Sequence, residues 1–263
     1  MTKQWVKYLQ IAAISLNNRL AYGIDHLTSS FFLLLILFVF SQLWKTVLGE
    51  GQLAGLGMVQ MLWYFAFTEA ITLSTPGTHR TLSEEVKSGD IAYGLIRPFY
   101  YPSYYLALHW GEFVIRFATN ILVGSVFTYF VMGRLEMQWT YFPLWALGIA
   151  LAVSLNFLVL FSIALIAFWI EDNQPFFWIY SKMIFIFGGL FVPVEAYPAG
   201  LRQVSNLLPF RYGVSAPARL IVQFEWSLFW QMLMGQLIWI LLMGALVICL
   251  FRKGVRKLHV HGG

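Results

Sequence analysis

Two charges stand four residues apart inside an apolar block, Glu112 and Arg116. Residues at that spacing share a helix face, so the two can pair. If the block starts near Ser103, Glu112 lies about 13 Å along it at 1.5 Å per residue. Charges that deep in a bilayer are costly and turn toward protein or water. Their chemistry is therefore a mutual ion pair that fixes one helix against its neighbours, or a contact to a ligand in a pathway. Glu69 is a second acid in apolar surroundings, with Trp63 and Phe67 close by as aromatic faces for a cation. Lys182 lies in another apolar block, and its long stem lets it snorkel to a surface.

A different chemistry is written between Glu84 and Pro102, EEVKSGDIAYGLIRPFYYP. Acids Glu84, Glu85 and Asp90 mix with Lys87 and Arg97. Mixed charge suits a docking surface that makes exposed, exchangeable salt bridges. Gly89 permits a sharp turn, and Pro98 and Pro102 end one element and start another. No covalent chemistry is visible. The chain has no Gly-rich phosphate loop and no His or Cys spacing for a metal. The HVH pair at His259 and His261 reads as a terminal tail. Cys249 is single, so it forms no intrachain disulfide. The basic balance is not a nucleic-acid signal, because Lys and Arg do not run together with aromatics.

Composition says what positions these residues. Hydrophobic residues make up 59% and charged residues 11%, against about 25% charged in soluble domains. The apolar residues come in blocks near the roughly 20 residues that a membrane helix needs. Alternating barrel-type segments are absent. The reading is an all-α integral membrane protein with six transmembrane helices in a single permease domain, residues 1–263. Residues 1–25 form an amphipathic, interfacial N-terminal helix, with Trp5, Tyr8, Leu9, Ala12, Leu16 and Leu20 among Lys3, Lys7, Asn17 and Arg19. No cleavable signal peptide is expected there.

The spans are expected at about Leu27–Trp44, Leu56–Leu73, Tyr104–Met132, Phe142–Ile170, Pro175–Val192 and Leu228–Phe251. A polar turn at Gly49, Glu50 and Gly51 separates the first two. Another at Glu171, Asp172 and Asn173 separates the fourth and fifth. Residues 76–102 are an inner loop. Residues 193–227, with Pro193, Pro198, Pro209 and Pro217, are too long for a turn and are expected to re-enter and close the outer end of a pathway. With both termini inside, the inner pieces hold Lys3, Lys7, Arg19, Arg80, Lys87, Arg97, Arg252, Lys253, Arg256 and Lys257. The outer pieces hold Lys45, Arg134, Arg202, Arg211 and Arg219. That bias places both termini in the cytoplasm. Trp44, Trp139, Tyr141, Trp178, Trp226 and Trp230 mark span ends, as an aromatic belt does.

Two segments carry a family resemblance. Glu85, Gly89, Leu95 and Pro98 fall in that order before a span. The segment from Gly188 to Leu220, GGLFVPVEAYPAGLRQVSNLLPFRYGVSAPARL, joins a Pro-bearing span end to a Leu-Pro and an Arg. Together with six spans and an amphipathic N-terminal helix, the chain resembles type-2 ABC exporter permeases. It departs from their common Glu-Arg-Gly loop, since Lys87 and Ser88 precede Gly89. It is also similar to a subgroup that works as two different chains and includes exporters of viologen-like cationic drugs.

The resemblance implies a permease of an ATP-driven exporter in a bacterial inner membrane, without enzymatic activity of its own. The partners implied are separate ABC ATPase subunits, a second permease subunit, identical or a sister chain, and the lipid bilayer. No cofactor is expected in this chain; ATP and Mg belong to the ATPase. Glu84, Glu85, Lys87, Gly89, Asp90, Arg97 and Pro98 would couple to that ATPase. Glu69, Trp63, Phe67, Glu112 and Arg116 would line the substrate pathway. Pro193, Glu195, Pro198, Pro209 and Arg211 would form an outer gate. Two other classes stay open on the residues alone: a proton- or ion-coupled carrier using Glu69 or Glu112, and a membrane scaffold protein.

Overall fold

Uninterrupted apolar runs satisfy their backbone hydrogen bonds most simply as helices. The computed structural model describes the backbone of residues 2–20, 23–49, 51–134 and 137–261, and the side chains of 6–17, 28–49, 51–134 and 137–257. Among the described residues all regular structure is helical, apart from one isolated bridge between Leu53 and Leu56. Lys3, Trp5, Arg19, Leu20, Glu50, His259 and His261 fall outside the described side chains.

Among the described residues, four helical stretches are long and apolar enough to cross a membrane: Thr28–Leu48, Tyr101–Met132, Trp139–Phe168 and Trp226–Lys257. They belong to α2 (Gly23–Leu48), α6 (Tyr101–Met132), α7 (Phe142–Leu165, with a 3-10 turn at each end) and α12 (Trp226–His261). The most apolar window of α7 is 61% buried, against 11–22% in the other three. α7 is therefore the central pillar. Phe31, Phe38, Leu241 and Leu242 stay exposed on the outer helices, where hydrocarbon can cover them.

The other two expected spans are shorter. α3 (Met58–Leu73) has 16 residues, about 24 Å, and α8 (Gln174–Phe187) has 14, about 21 Å. Neither alone matches a hydrocarbon core of about 30 Å. The reason is local. A turn through Ala54 and Gly55, both at positive φ, delays the start of α3, and α8 stops at Gly188. α3 is nonetheless deeply enclosed, with everything from Met61 to Ile71 buried, packed between α2, α6 and the later α11.

Short helices fill the expected loops. Residues 76–102 hold α4 (Thr78–Ser88) and α5 (Ile91–Leu95) and then enter α6. Residues 193–227 hold a 3-10 turn at Val194–Ala196, then α9 (Ala199–Leu207), α10 (Pro209–Gly213) and α11 (Ser215–Val222), before α12 begins. All eight residues of α11 are buried.

The N-terminal helix α1 (Thr2–Leu20) lies along α6. A Cβ on Gly111 would run into the Ala12 carbonyl and the Ser15 side chain, so this close approach needs glycine. Ser15 Oγ donates to the Leu108 carbonyl at 3.2 Å, and Tyr8 accepts from the Tyr100 backbone N–H at 3.1 Å. Away from α6, α1 keeps Val6 and Leu9 exposed.

Candidate functional site

α4 is held by its buried face. Thr78, Leu82 and Val86 recur every four residues and, with Ser83, point inward. Leu82, Val86 and Ile91 join a core cluster with Phe157, Phe161 and Phe168. Polar contacts fix the direction. The Thr78 hydroxyl lies 3.0 Å from Nδ1 of buried His109. Ser83 Oγ donates to Asn173 Oδ1 at 2.7 Å. The Tyr101 hydroxyl donates to the Glu85 carboxylate. His79 leans on Phe177, with ring centroids 4.7 Å apart. Burial, helped by neighbouring Arg80, pushes the His79 imidazole down to about 4.

The opposite face is open. Glu84, Lys87, Asp90, Arg97 and Pro98 are exposed, and Tyr93 and Ile96 are 73% and 82% exposed. Gly89 ends α4 at φ +83°. A Cβ there would meet nothing, so handedness alone favours glycine. Ser88 Oγ donates to Asp90 Oδ2 at 2.8 Å across this turn. Six of the seven expected coupling residues therefore sit on or beside one face. Glu85 is turned inward to Tyr101.

The expected pathway residues separate into three places. Glu69 is buried and lines a cavity of about 530 Å³ between α2, α3 and α8, shared with His79, Arg80, Phe177, Trp178 and Lys182. Glu69 Oε1 has no hydrogen-bond partner. Lys182 Nζ lies 4.8 Å from the Trp178 ring centroid. Glu112 and Arg116 pair at 2.6 Å and line another cavity, of about 580 Å³, with Ser15, Thr81, Glu85 and Tyr105. Trp63 and Phe67 line neither cavity. They are buried in a core cluster with Trp145 and Phe113, and Trp63 Nε1 donates to the Arg134 carbonyl at 3.3 Å. Glu69 lies six residues from Trp63 and two from Phe67 on α3, so neither shares its helix face.

In the outer segment, Arg211 bonds Glu195 at 2.6 Å and also donates to Asn206. Pro193 precedes the 3-10 turn, Pro198 caps α9 and Pro209 opens α10, each at a helix start where a missing N–H costs nothing. The segment is tied to the bundle by polar bonds. Tyr64 donates to the Gly189 carbonyl. Thr68 Oγ1 donates to the Leu190 carbonyl at 2.8 Å. Asn156 donates to the Gly213 carbonyl at 3.2 Å and accepts from Tyr180 at 3.1 Å. Gln236 donates to the carbonyls of Gly148 and Tyr212.

Sequence reasoning missed Ser83, Asn173, Thr78 and His109 as internal fasteners, and Tyr93 and Ile96 as the exposed apolar part of the face. The four-residue recurrence of Thr78, Leu82 and Val86 is the signal that marks α4 as helical. Asn173 belongs to the expected polar turn, and it is fully buried.

The comparisons with known proteins bear on the whole chain. No curated protein matches it. A family model described as "ABC-2 family transporter protein" matches residues 27–262, which takes in most of α2 and every later element. The chain, a multi-pass membrane permease component of an ABC transporter, belongs to the ABC-2 transporter family.

Proposed function

We infer that the chain is the membrane-embedded half of an ATP-driven exporter and that α4 and α5 receive the ATPase. The observation that carries this reading is the open face of α4–α5. It combines exposed Tyr93 and Ile96 with Glu84, Lys87, Asp90 and Arg97, while the opposite side is fastened to α6, α7 and α8. Apolar anchors ringed by charges are what a docking patch needs. A face fastened in this way transmits a push instead of absorbing it.

The chain crosses the bilayer six times, with α3 and α8 as short second and fifth crossings. Both termini and α4–α5 face the cytoplasm of a bacterial cell, in the inner membrane. The short crossings are completed by non-helical chain buried in protein, which the bilayer tolerates. α9 to α11 re-enter from the outside and, with the Arg211–Glu195 pair, form an outer gate. α1 lies in the interface plane with Val6 and Leu9 toward lipid.

A second permease subunit, identical or a sister chain, covers the Glu69 cavity between α2, α3 and α8 and makes it a central route. ATP and Mg act on the partner ATPase; this chain contributes no catalytic group. ATP-driven closure pulls α4, and the Ser83–Asn173 and His79–Phe177 contacts carry the motion to α8, where the cavity wall moves.

The test is co-purification of the tagged chain with its ATPase. Tyr93→Asp with Ile96→Asp should abolish recovery of the ATPase while the chain still inserts. Full recovery would remove α4–α5 from the docking site. A second reading, a proton-coupled carrier, draws on the buried, unpartnered oxygen of Glu69. Transport by the chain alone in vesicles, driven by a pH gradient without ATPase, would favour it.

A further inference from the structure

A third cavity, of about 350 Å³, lies between the outer segment and the first turns of α12. Its polar wall is Glu195, Asn206, Arg211 and Arg219. The charges there are unevenly matched. Arg211 is committed to Glu195 and Asn206. Arg219 is only 6% exposed. Of its three nitrogens only Nη2 is engaged, donating to the Ala54 carbonyl at 2.8 Å and to Gln223 Oε1 at 3.0 Å. Nε and Nη1 have no hydrogen-bond partner. No carboxylate among the described residues lies within ion-pair distance of it.

An arginine does not lose its proton in a protein. Glu195 and Glu225 attract the Arg219 guanidinium only from beyond ion-pair distance, and a buried cation with no anion in direct contact is costly. Unused donors on a planar guanidinium suit the oxygens of a phosphate or carboxylate. The other wall of the cavity is of a different kind. It holds Gln231, Met234 and Ile238 of α12, all exposed. Exposed Trp226 and Trp230 stand on the same turns, as side chains at a headgroup boundary do. A cationic floor beside an apolar, lipid-facing helix is a place for an amphiphile.

We propose that this cavity binds the phosphate group of an anionic amphiphile, with Arg219 as its counter-charge and the acyl chain running along Met234 and Ile238. The site is independent of the ATPase reading. It needs only that α12 lies in a bilayer. Free phosphate shares the headgroup chemistry, and the tail distinguishes the two sources.

The full chain in neutral maltoside detergent is titrated with phosphatidylglycerol, with diacylglycerol of the same tails, and with inorganic phosphate, and Tm is read. Phosphatidylglycerol should raise Tm saturably, while diacylglycerol and millimolar phosphate should not. An equal rise with phosphate alone would keep the anion site and overturn the acyl-chain contact. Gln231→Glu sets a carboxylate on the cavity rim without touching the bonds of Arg219. It should weaken the phosphatidylglycerol midpoint about tenfold or more. Arg219→Met should do the same, and the exposed Gln231→Glu decides the matter if Arg219→Met misfolds. No saturable rise, or equal midpoints in the natural chain and Gln231→Glu, overturns the proposal.

Discussion

Ser83 on α4 donates a 2.7 Å hydrogen bond to the side chain of Asn173, which is wholly buried at the mouth of α8. The Asn173 amide in turn reaches the carbonyls of Ile163 and Ala164 at 3.3 and 3.4 Å. One side chain thus fastens α4, the end of α7 and the start of α8. Asn173→Ala leaves buried partners unsatisfied and should cost about 1–3 kcal/mol, while Ser83→Ala should cost about 1 kcal/mol. The double variant should be scarcely worse than Asn173→Ala, because the two share one bond. Thermal unfolding in detergent measures all three.

Glu84 and Glu85 are adjacent but face different ways. Glu85→Ala and Tyr101→Phe each break an internal bond and should lower Tm, with ATPase recovery retained. Glu84→Arg with Asp90→Arg touches only the open face and should do the reverse. Pull-down and Tm, measured together on these variants, separate a fastener from a docking charge.

Glu112 and Arg116 pair at 2.6 Å with side-chain exposures of 4% and 19%. Removing one partner strands the other, a loss of about 3–5 kcal/mol for a fully buried pair and less with this exposure. Glu112→Gln and Arg116→Met should each reduce folded yield, and the double replacement should recover it. Recovered yield with lost transport would assign the pair to the cavity it lines and not to packing alone.

His79 offers a pH readout. It is held neutral in the fold, with its pKa near 4 through burial and then Arg80, against about 6.5 when unfolded. Protons therefore favour the unfolded chain below about pH 6.5. The stability is fully present above that value and is lost as pH falls toward 4. Tm should drop between pH 7.5 and pH 5. His79→Phe keeps the ring contact with Phe177 and should make that drop smaller.

Topology can be read by labelling. Ser205 is fully buried and makes a poor reporter, whereas Gln203 is exposed on α9. After Cys249→Ala, a cysteine at Gln203 should react with an impermeant thiol reagent from outside the cell. Labelling only from the cytoplasm would reverse the orientation and remove α4–α5 from the inner face.

Part of this was legible in the residues. Long apolar runs announced α2, α6, α7 and α12, because composition alone decides what hydrocarbon accepts. The spacing of Glu112 and Arg116 gave their pairing, a property of one helix. α3 starts two residues after the expected Leu56 and ends at the expected Leu73, but the length of α8 was not legible. Its apolar block continues past Phe187 through buried Gly188, Gly189 and Leu190 as non-helical chain, and hydropathy does not distinguish the two. Trp63 and Phe67 looked like companions of Glu69 by proximity in sequence, yet helix rotation and the enclosing α6 and α7 put them in the core. Asn173 read only as part of a polar turn in EDN, and its bonds to Ser83, Ile163 and Ala164, distant in sequence, explain its burial.

α12 runs unbroken through 36 residues, about 54 Å at 1.5 Å per residue. Its first turns border the Arg219 cavity, and near its far end Phe251 stacks on Tyr101, with ring centroids 5.9 Å apart, where α6 leaves the α4–α5 segment. A rod of that length behaves as a lever. A tilt of about 5° about one end displaces the other by about 5 Å on that length. A headgroup seated at one end and a protein docked at the other would then act on the same rigid body. Lipid composition would be felt at the ATPase without any chain of side chains between them.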